Sequence, residues 1–239
     1  MDYNGKIVLV TGSSRGIGLE ITKHFLECGA SVIGISRSAS DFKHRHYTHF
    51  ELNLGDTEAI LHFFKKQIQP AYAQIDIVIN NAAVLTSQHA MIMPAKNAID
   101  MVNVNLLGTF FISREAAKLM RKQGNARIIN ISSMTTSLEP VGESIYAACK
   151  SGMVTMNNIL AKELSSYGIT CNTLSITAYE TDMLNQHSDV AKEKIKALIN
   201  NLPIPRIARK EDIFNVIDFF ASPNSSYITA QTIFLGGIN

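Results

Sequence analysis

Short apolar runs and longer amphipathic stretches alternate along the whole chain. Lys6–Val10 (KIVLV), Ser31–Ile35 (SVIGI), His49–Leu52, Ile75–Ile79 (IDIVI), Arg127–Ile131 (RIINI), Ile169–Leu174 (ITCNTL) and Thr232–Leu235 read as seven strands. Several are apolar at nearly every position, as strands covered on both faces of a parallel sheet are. Between them, Gly16–Cys28, Thr57–Gln69, Ala98–Lys122, Glu143–Tyr167 and Glu211–Phe220 carry apolar residues at helical period, and Asp56-Thr57-Glu58 is a helix-start signal. Strand and helix in alternation give βαβ units, which right-handed crossovers join into one doubly wound α/β sheet. No Pro-, Gly- or Ser-rich linker breaks the series, so the pattern predicts a single domain over residues 1–239, a seven-stranded parallel sheet with helices on both faces. The least regular stretch is Thr177–Arg209, with a helix expected over Ala191–Asn200 before Pro203 and Pro205. Residues 177–205 are a candidate substrate lid.

Composition narrows the partners. Apolar types make up 46% of the 239 residues and charged types only 18%, enough to bury a large core. The 22 basic and 20 acidic side chains leave a formal net charge of +2. Nucleic acid and anionic membranes call for a basic face or stripe, so neither is an expected partner. No stretch reaches the roughly 18 consecutive apolar residues of a membrane span. The first residues, Met1 to Gly5, lack the basic and apolar regions of a signal peptide. Cys28, Cys149 and Cys171 are odd in number and show no CxxC spacing, so a reducing cytoplasm is expected and no metal centre.

The first strand runs into Thr11-Gly12-Ser13-Ser14-Arg15-Gly16-Ile17-Gly18, and a helical pattern follows at once. Glycines between a strand and a helix let the backbone approach a pyrophosphate, which the unpaired N–H groups and dipole of the helix N-terminus stabilise. The spacing is G-x3-G-x-G rather than the general G-x-G-x-x-G, but the strand–loop–helix context is what a Rossmann-type dinucleotide site requires. The second strand ends at Ser36-Arg37, where an acid would bind the ribose 2′-hydroxyl of NAD and an Arg the 2′-phosphate of NADP. With Arg15 as a second cation, the sequence favours NADP(H) over NAD(H).

Tyr146 and Lys150, four apart in a helical pattern, share one face. A phenol is a poor acid or base near neutrality, and a neighbouring ammonium is expected to lower its pKa. Ser132-Ser133 ends a strand 13 residues before Tyr146, at the side of the sheet where ligands sit. A hydroxyl there can donate to a carbonyl oxygen while the Tyr delivers a proton.

Taken together, TGSSRGIG (Thr11–Gly18), Asn80-Asn81-Ala82-Ala83, Asn103-Val104-Asn105, Ser132-Ser133 and Tyr146-Ala147-Ala148-Cys149-Lys150 resemble the short-chain dehydrogenase/reductase family over essentially the whole chain. Within it, TGSSRGIG, the IINISS strand and the Ser-Pro…Tyr-Ile-Thr segment are most like 3-oxoacyl-[acyl-carrier-protein] reductases. The resemblance implies a catalytic tetrad of Asn105, Ser133, Tyr146 and Lys150. Tyr146 would be the proton donor, Ser133 would orient the carbonyl, Lys150 would bind the nicotinamide ribose, and Asn105 would hold a water leading to solvent. It implies cofactor contacts from Gly12, Ser14, Arg15, Gly16, Ile17, Gly18, Ser36, Arg37, Asn53, Leu54, Asn81, Ala82, Ala83, Tyr146, Lys150 and Thr181. It also implies a small-molecule or carrier-bound carbonyl substrate and a homo-oligomer, dimer or tetramer. Reductases of sugar, polyketide or secondary-metabolite carbonyls share the pattern, and a non-catalytic NADP(H)-sensing protein is the reading of another class.

Asn53 stands where the family usually has Asp, Ala83 where it has Gly, and Ile176-Thr177 where Pro-Gly follows the sixth strand. Phe234-Leu235-Gly236-Gly237 lacks the common Asp. Of the weaker features, His44, His46 and His49 read as a solvated loop rather than a metal cluster. Cys149 reads as a small apolar side chain, and Met153 and Met156 as a packed helix face. Glu139 and Glu143 read equally as rim charges or as groups that recognise an amine or hydroxyl.

Overall fold

The computed structural model describes residues 1–177, 179, 199, 200 and 202–237. Seven strands, β1 Ile7–Thr11, β2 Ser31–Ser36, β3 Tyr47–Glu51, β4 Ile77–Asn80, β5 Ala126–Ser133, β6 Ile169–Ile176 and β7 Thr232–Phe234, form one sheet in the order β3-β2-β1-β4-β5-β6-β7. Every neighbouring pair is parallel, as the uniformly apolar strands require. The strand order reverses between β1 and β4, and beyond the carboxyl ends at that point open α/β sheets bind their ligands.

Helices α1 Gly16–Glu27, α2 Thr57–Phe63, α3 Ala95–Val102, α4 Thr109–Met120, α5 Ser144–Leu164 and α6 Lys210–Ala221 cover the two faces. Alternate strand residues sort the core into two layers. Leu9, Ile33, Val78, Ile128 and Cys171 are buried with Ile60, Phe64, Ile112, Met120 and Leu160. Val8, Val10, Val32, Ile79 and Leu174 are buried with Ile21 and Phe25 of α1 and Ile213 and Phe220 of α6. A row of amides crosses the first layer: Asn80 Nδ2 donates to Ser113 Oγ at 2.8 Å and Asn130 Oδ1 at 2.7 Å, and Asn130 Nδ2 donates to Asn157 Oδ1 at 2.7 Å. Buried polar groups of this kind have few satisfied arrangements, so the row fixes α4 and α5 against β4 and β5.

Three departures from the sequence pattern bear on the site. The helix expected over Ala98–Lys122 is broken: α3 passes into a π-helical turn, Asn103–Gly108, before α4 resumes. Strand β6 runs past Leu174 to Ile176, pairing Ser132 with Ser175 and Ser133 with Ile176. Without a proline at 176 or a glycine at 177 nothing ends the ladder, and Met134 donates its N–H to the Ile176 carbonyl at 2.9 Å. Finally, β3 starts at Tyr47, and residues 37–46, which connect it to β2, contain no helix. Parallel crossovers usually carry one. In its place Phe42 and Tyr47 pack against the α1 face, ring centroids 5.5 Å apart. Most of the candidate lid, including nearly all of the helix expected over Ala191–Asn200, lies outside the described residues.

Candidate active site

The glycine loop is fastened before it can hold anything. Gly12 and Gly16 adopt φ of 71° and 55°, open to glycine at little cost. Thr11 Oγ1 accepts the backbone N–H groups of Asn81 at 3.0 Å and Ala82 at 3.1 Å, while Asn81 Nδ2 donates to the Thr11 carbonyl at 3.1 Å and that of Gly12 at 3.4 Å. A side chain at Gly18 would run into the Gly12 carbonyl and the Asn81 amide. The first turn of α1, with Ser14, Arg15, Gly16 and Ile17, thus sits tightly against the ends of β1 and β4. The side-chain amide of Asn81 is spent on this clamp, and Thr11, the first residue of the motif, is its anchor. Ala83 follows on the exposed side.

At the end of β2, Arg37 is exposed, and so is Arg15 at the N-cap of α1. The Ser36 hydroxyl is engaged inside the protein, donating to the Ser38 carbonyl at 2.6 Å. Asn53 Oδ1 accepts from Gly55 N–H at 3.1 Å, closing its own turn before α2, and Leu54 is buried beneath it. Thr181 lies outside the described residues. His49 is half-buried on β3, bonded through both ring nitrogens, and is no part of a solvated loop. Its side of the strand, shared with Tyr47 and Glu51, follows only from the structure, which begins β3 at Tyr47.

Three residues of the predicted tetrad, Ser133, Tyr146 and Lys150, come together at the carboxyl end of β5. Ser133 is the last residue of that strand, and its Oγ accepts from Thr135 N–H at 3.3 Å. Tyr146 and Lys150 lie one turn apart near the start of α5, with Lys150 Nζ 5.8 Å from the centre of the Tyr146 ring. Lys150 is 3% exposed and donates to the Ile131 carbonyl of β5 at 2.7 Å. Asn105, fully buried in the π-helical turn, uses both ends of its amide on Val84: Nδ2 donates to the carbonyl and Oδ1 accepts the N–H, each at 2.8 Å. These bonds tie the turn to the loop after β4. A helix widened at one turn is a frequent mark of a functional position.

Electrostatics correct one expectation. Burial pushes Tyr146 up to about 12, against a lowering hydrogen bond from Ser133, and a raising contribution comes from Glu143. Burial acts on Lys150 in the opposite sense, drawing it down to about 8. An unfolded lysine, near 10.5, still holds its proton where the folded Lys150 has released it, so this group's contribution to stability rises from about pH 8 to about 10.5. Lys150→Met should remove that rise, read as the difference between the melting temperatures of the two proteins across the window. Cys149 is buried and its thiol raised by burial, which fits a packing side chain. Glu139 is exposed, with φ of 44°. Glu143 is half-buried beside Tyr146, its carboxyl raised by burial and its Oε2 without a hydrogen-bond partner among the described residues.

A family model for short chain dehydrogenases matches residues 6–192. The chain belongs to this family. It is 33% identical over 243 aligned residues to the 3-oxoacyl-[acyl-carrier-protein] reductases of Vibrio harveyi and Escherichia coli K12, covering 99% of this chain and 98% of each relative. A solved short chain dehydrogenase/reductase family protein superposes with a TM-score of 0.87 at 26% identity, over 99% of this chain and 98% of that one. The aldohexose dehydrogenase of Thermoplasma acidophilum superposes with a TM-score of 0.89 at 24% identity, over 98% and 94%, and shares the fold. The chain is therefore an oxidoreductase of the short-chain type, with a Rossmann-like seven-stranded sheet. No described helix is long and apolar enough to cross a membrane.

Proposed function

We propose that this protein is an NADP(H)-dependent carbonyl reductase acting on a 3-oxoacyl thioester or a closely related ketone. The observation that carries the reading is the meeting of Ser133, Tyr146 and Lys150 at the end of β5, one strand from the β1/β4 switch point where the glycine loop lies. The cradle fits a nicotinamide dinucleotide, since a glycine turn opens directly into the N-terminus of α1 at the β1/β4 switch point, where unpaired N–H groups suit a pyrophosphate. Gly12 to Gly18 would hold the pyrophosphate, Arg15 and Arg37 the 2′-phosphate, and Lys150 the nicotinamide ribose. When bound, the cofactor supplies the hydride.

The residues of the chain supply the rest. Negative charge builds on the carbonyl oxygen during reduction, and the Ser133 and Tyr146 hydroxyls converge on that position. Tyr146, protonated over the whole neutral range, suits the donor role. Asn105 ties the π-helical turn to the loop after β4, so this wall of the site keeps its shape.

Two findings favour an acyl substrate. The relatives at 33% identity are 3-oxoacyl-[acyl-carrier-protein] reductases. The loops after β4 and β5, which meet where Gln88 N–H donates to the Gly142 carbonyl at 2.9 Å, expose Leu85, Met91, Ile92 and Val141. An apolar rim of this kind suits an acyl chain better than a sugar. A homo-oligomer working in the cytoplasm completes the proposal. Purified protein should oxidise NADPH with acetoacetyl thioesters, read by loss of NADPH absorbance, and should prefer NADPH to NADH. NADPH binding without turnover across thioester, ketone and aldose substrates would overturn the enzymatic reading in favour of a sensor.

A further inference from the structure

The connection between β2 and β3 is short, and its consequence is local. With no helix over residues 37–46, the side chains of β3 reach the end of β2 directly, and Phe42, Lys43, His44, Arg45, Tyr47 and His49 line an open pocket of about 460 Å³ beside it. His49 pairs with Gly34 across the strands, and the missing side chain of Gly34 leaves room for the Tyr47 hydroxyl and Ser13 Oγ.

The bonds around His49 reach both neighbouring segments. Nε2 lies 3.1 Å from the Ser38 carbonyl, which can only accept, so Nε2 carries a hydrogen. The same nitrogen lies 3.1 Å from Ser36 Oγ, whose own proton goes to Ser38. Nδ1 lies 2.8 Å from the Tyr47 hydroxyl. That hydroxyl donates to Ser13 Oγ at 3.0 Å, in the glycine loop and fully buried. One imidazole therefore joins the glycine loop to the Ser36–Ser38 turn from which Arg37 projects.

We propose that His49, acting through Tyr47 and Ser36, is the positioning residue for the adenosine end of the cofactor. It touches no reacting atom. It holds in register two segments that must grip one ligand, the loop under the pyrophosphate and the turn beside the ribose 2′ position. This rests on the reading of Arg37 as the 2′-phosphate contact.

The test is calorimetric binding of 2′,5′-ADP and 5′-AMP to the purified protein, with NADPH kinetics alongside. His49→Leu keeps the bulk and loses both bonds, so 2′,5′-ADP should bind about tenfold more weakly, the size of one or two lost hydrogen bonds, and the loss should fall on KM for NADPH rather than on kcat. His49→Gln, which offers a donor and an acceptor, should recover affinity to within about threefold of wild type. Should His49→Leu fail to fold, Tyr47→Phe cuts the same link on the glycine-loop side and should weaken both fragments. Unchanged affinity in His49→Leu overturns the proposal. So does equal weakness of the Leu and Gln variants with a lowered melting temperature, which marks a role in stability alone. Equal binding of the two fragments by the wild type would instead overturn the NADP(H) preference, and the comparison of His49 variants would then be read on 5′-AMP.

Discussion

Replacing Tyr146 by phenylalanine should abolish turnover while leaving the fold in place and NADPH able to bind. The variant loses one oxygen from a half-buried ring on α5, and none of the bonds that fasten the glycine loop involves it. What it loses is the acid. Burial keeps the phenol protonated far above neutral pH, so at pH 7 nearly every molecule holds the proton that a reduced carbonyl must receive. A positioned general acid contributes roughly 10²–10⁴ in rate, and Tyr146 also supplies one of the two hydrogen bonds to the developing oxyanion, so a fall in kcat of about 10³ or more is expected. Steady-state kinetics with a titration of NADPH binding and a circular dichroism spectrum separate the effects. Full activity in a folded Tyr146→Phe protein would remove the mechanism proposed above.

The other large effect is expected at Gly18, far from the carbonyl. A methyl group there meets the backbone oxygen of Gly12, which cannot swing aside as a side chain would, and the Asn81 amide that clamps the loop. Either α1 moves off the sheet or the turn opens, and both spoil the cradle. Overpacking of this kind costs about 1–3 kcal/mol, so Gly18→Ala should melt measurably lower and bind NADPH on the order of 100-fold more weakly. Gly124 offers a control: a Cβ there meets nothing within 4 Å, although its φ of 70° still strains an alanine. If Gly18→Ala lost no more cofactor affinity than Gly124→Ala, the tight contact at Gly18 would not be what shapes the site.

What could be read from the sequence follows from how local each signal is. Strand identity in β1, β2, β4, β5 and β6 is written in runs such as IVLV and RIINI, because burial on both faces demands apolar residues at every position. The glycine loop and the Tyr146/Lys150 pair were visible because a strand–loop–helix junction and a four-residue helical spacing are short-range patterns. The π-helical turn was not visible: Asn105 within it is bonded to Val84, a residue 21 positions away. The position of His49 was also hidden, since it depends on Tyr47 joining β3 and on the bare face of Gly34 across the strands. The pKa of Tyr146 was misjudged for a similar reason. Adjacency of Lys150 is a sequence fact, whereas the burial that opposes it belongs to the packed chain.

The short β2–β3 connection also bears on the order in which the molecule assembles. Loop closure costs less entropy the fewer residues it spans, and pairing of strands distant in sequence is what slows α/β proteins. Here β1, α1, β2 and β3 are all made within the first 51 residues, and Ser36 and Tyr47 are joined without waiting for an intervening helix to form and dock. The half of the sheet that faces the adenosine end can therefore zip up early, whereas β4 pairs with β1 across residues 12–76 and β5 with β4 across residues 81–125. In pulse-labelled hydrogen exchange during refolding, the amides of β1 to β3 should gain protection ahead of those of β5 and β6. The chain would then own a cofactor grip before it owns anything to reduce.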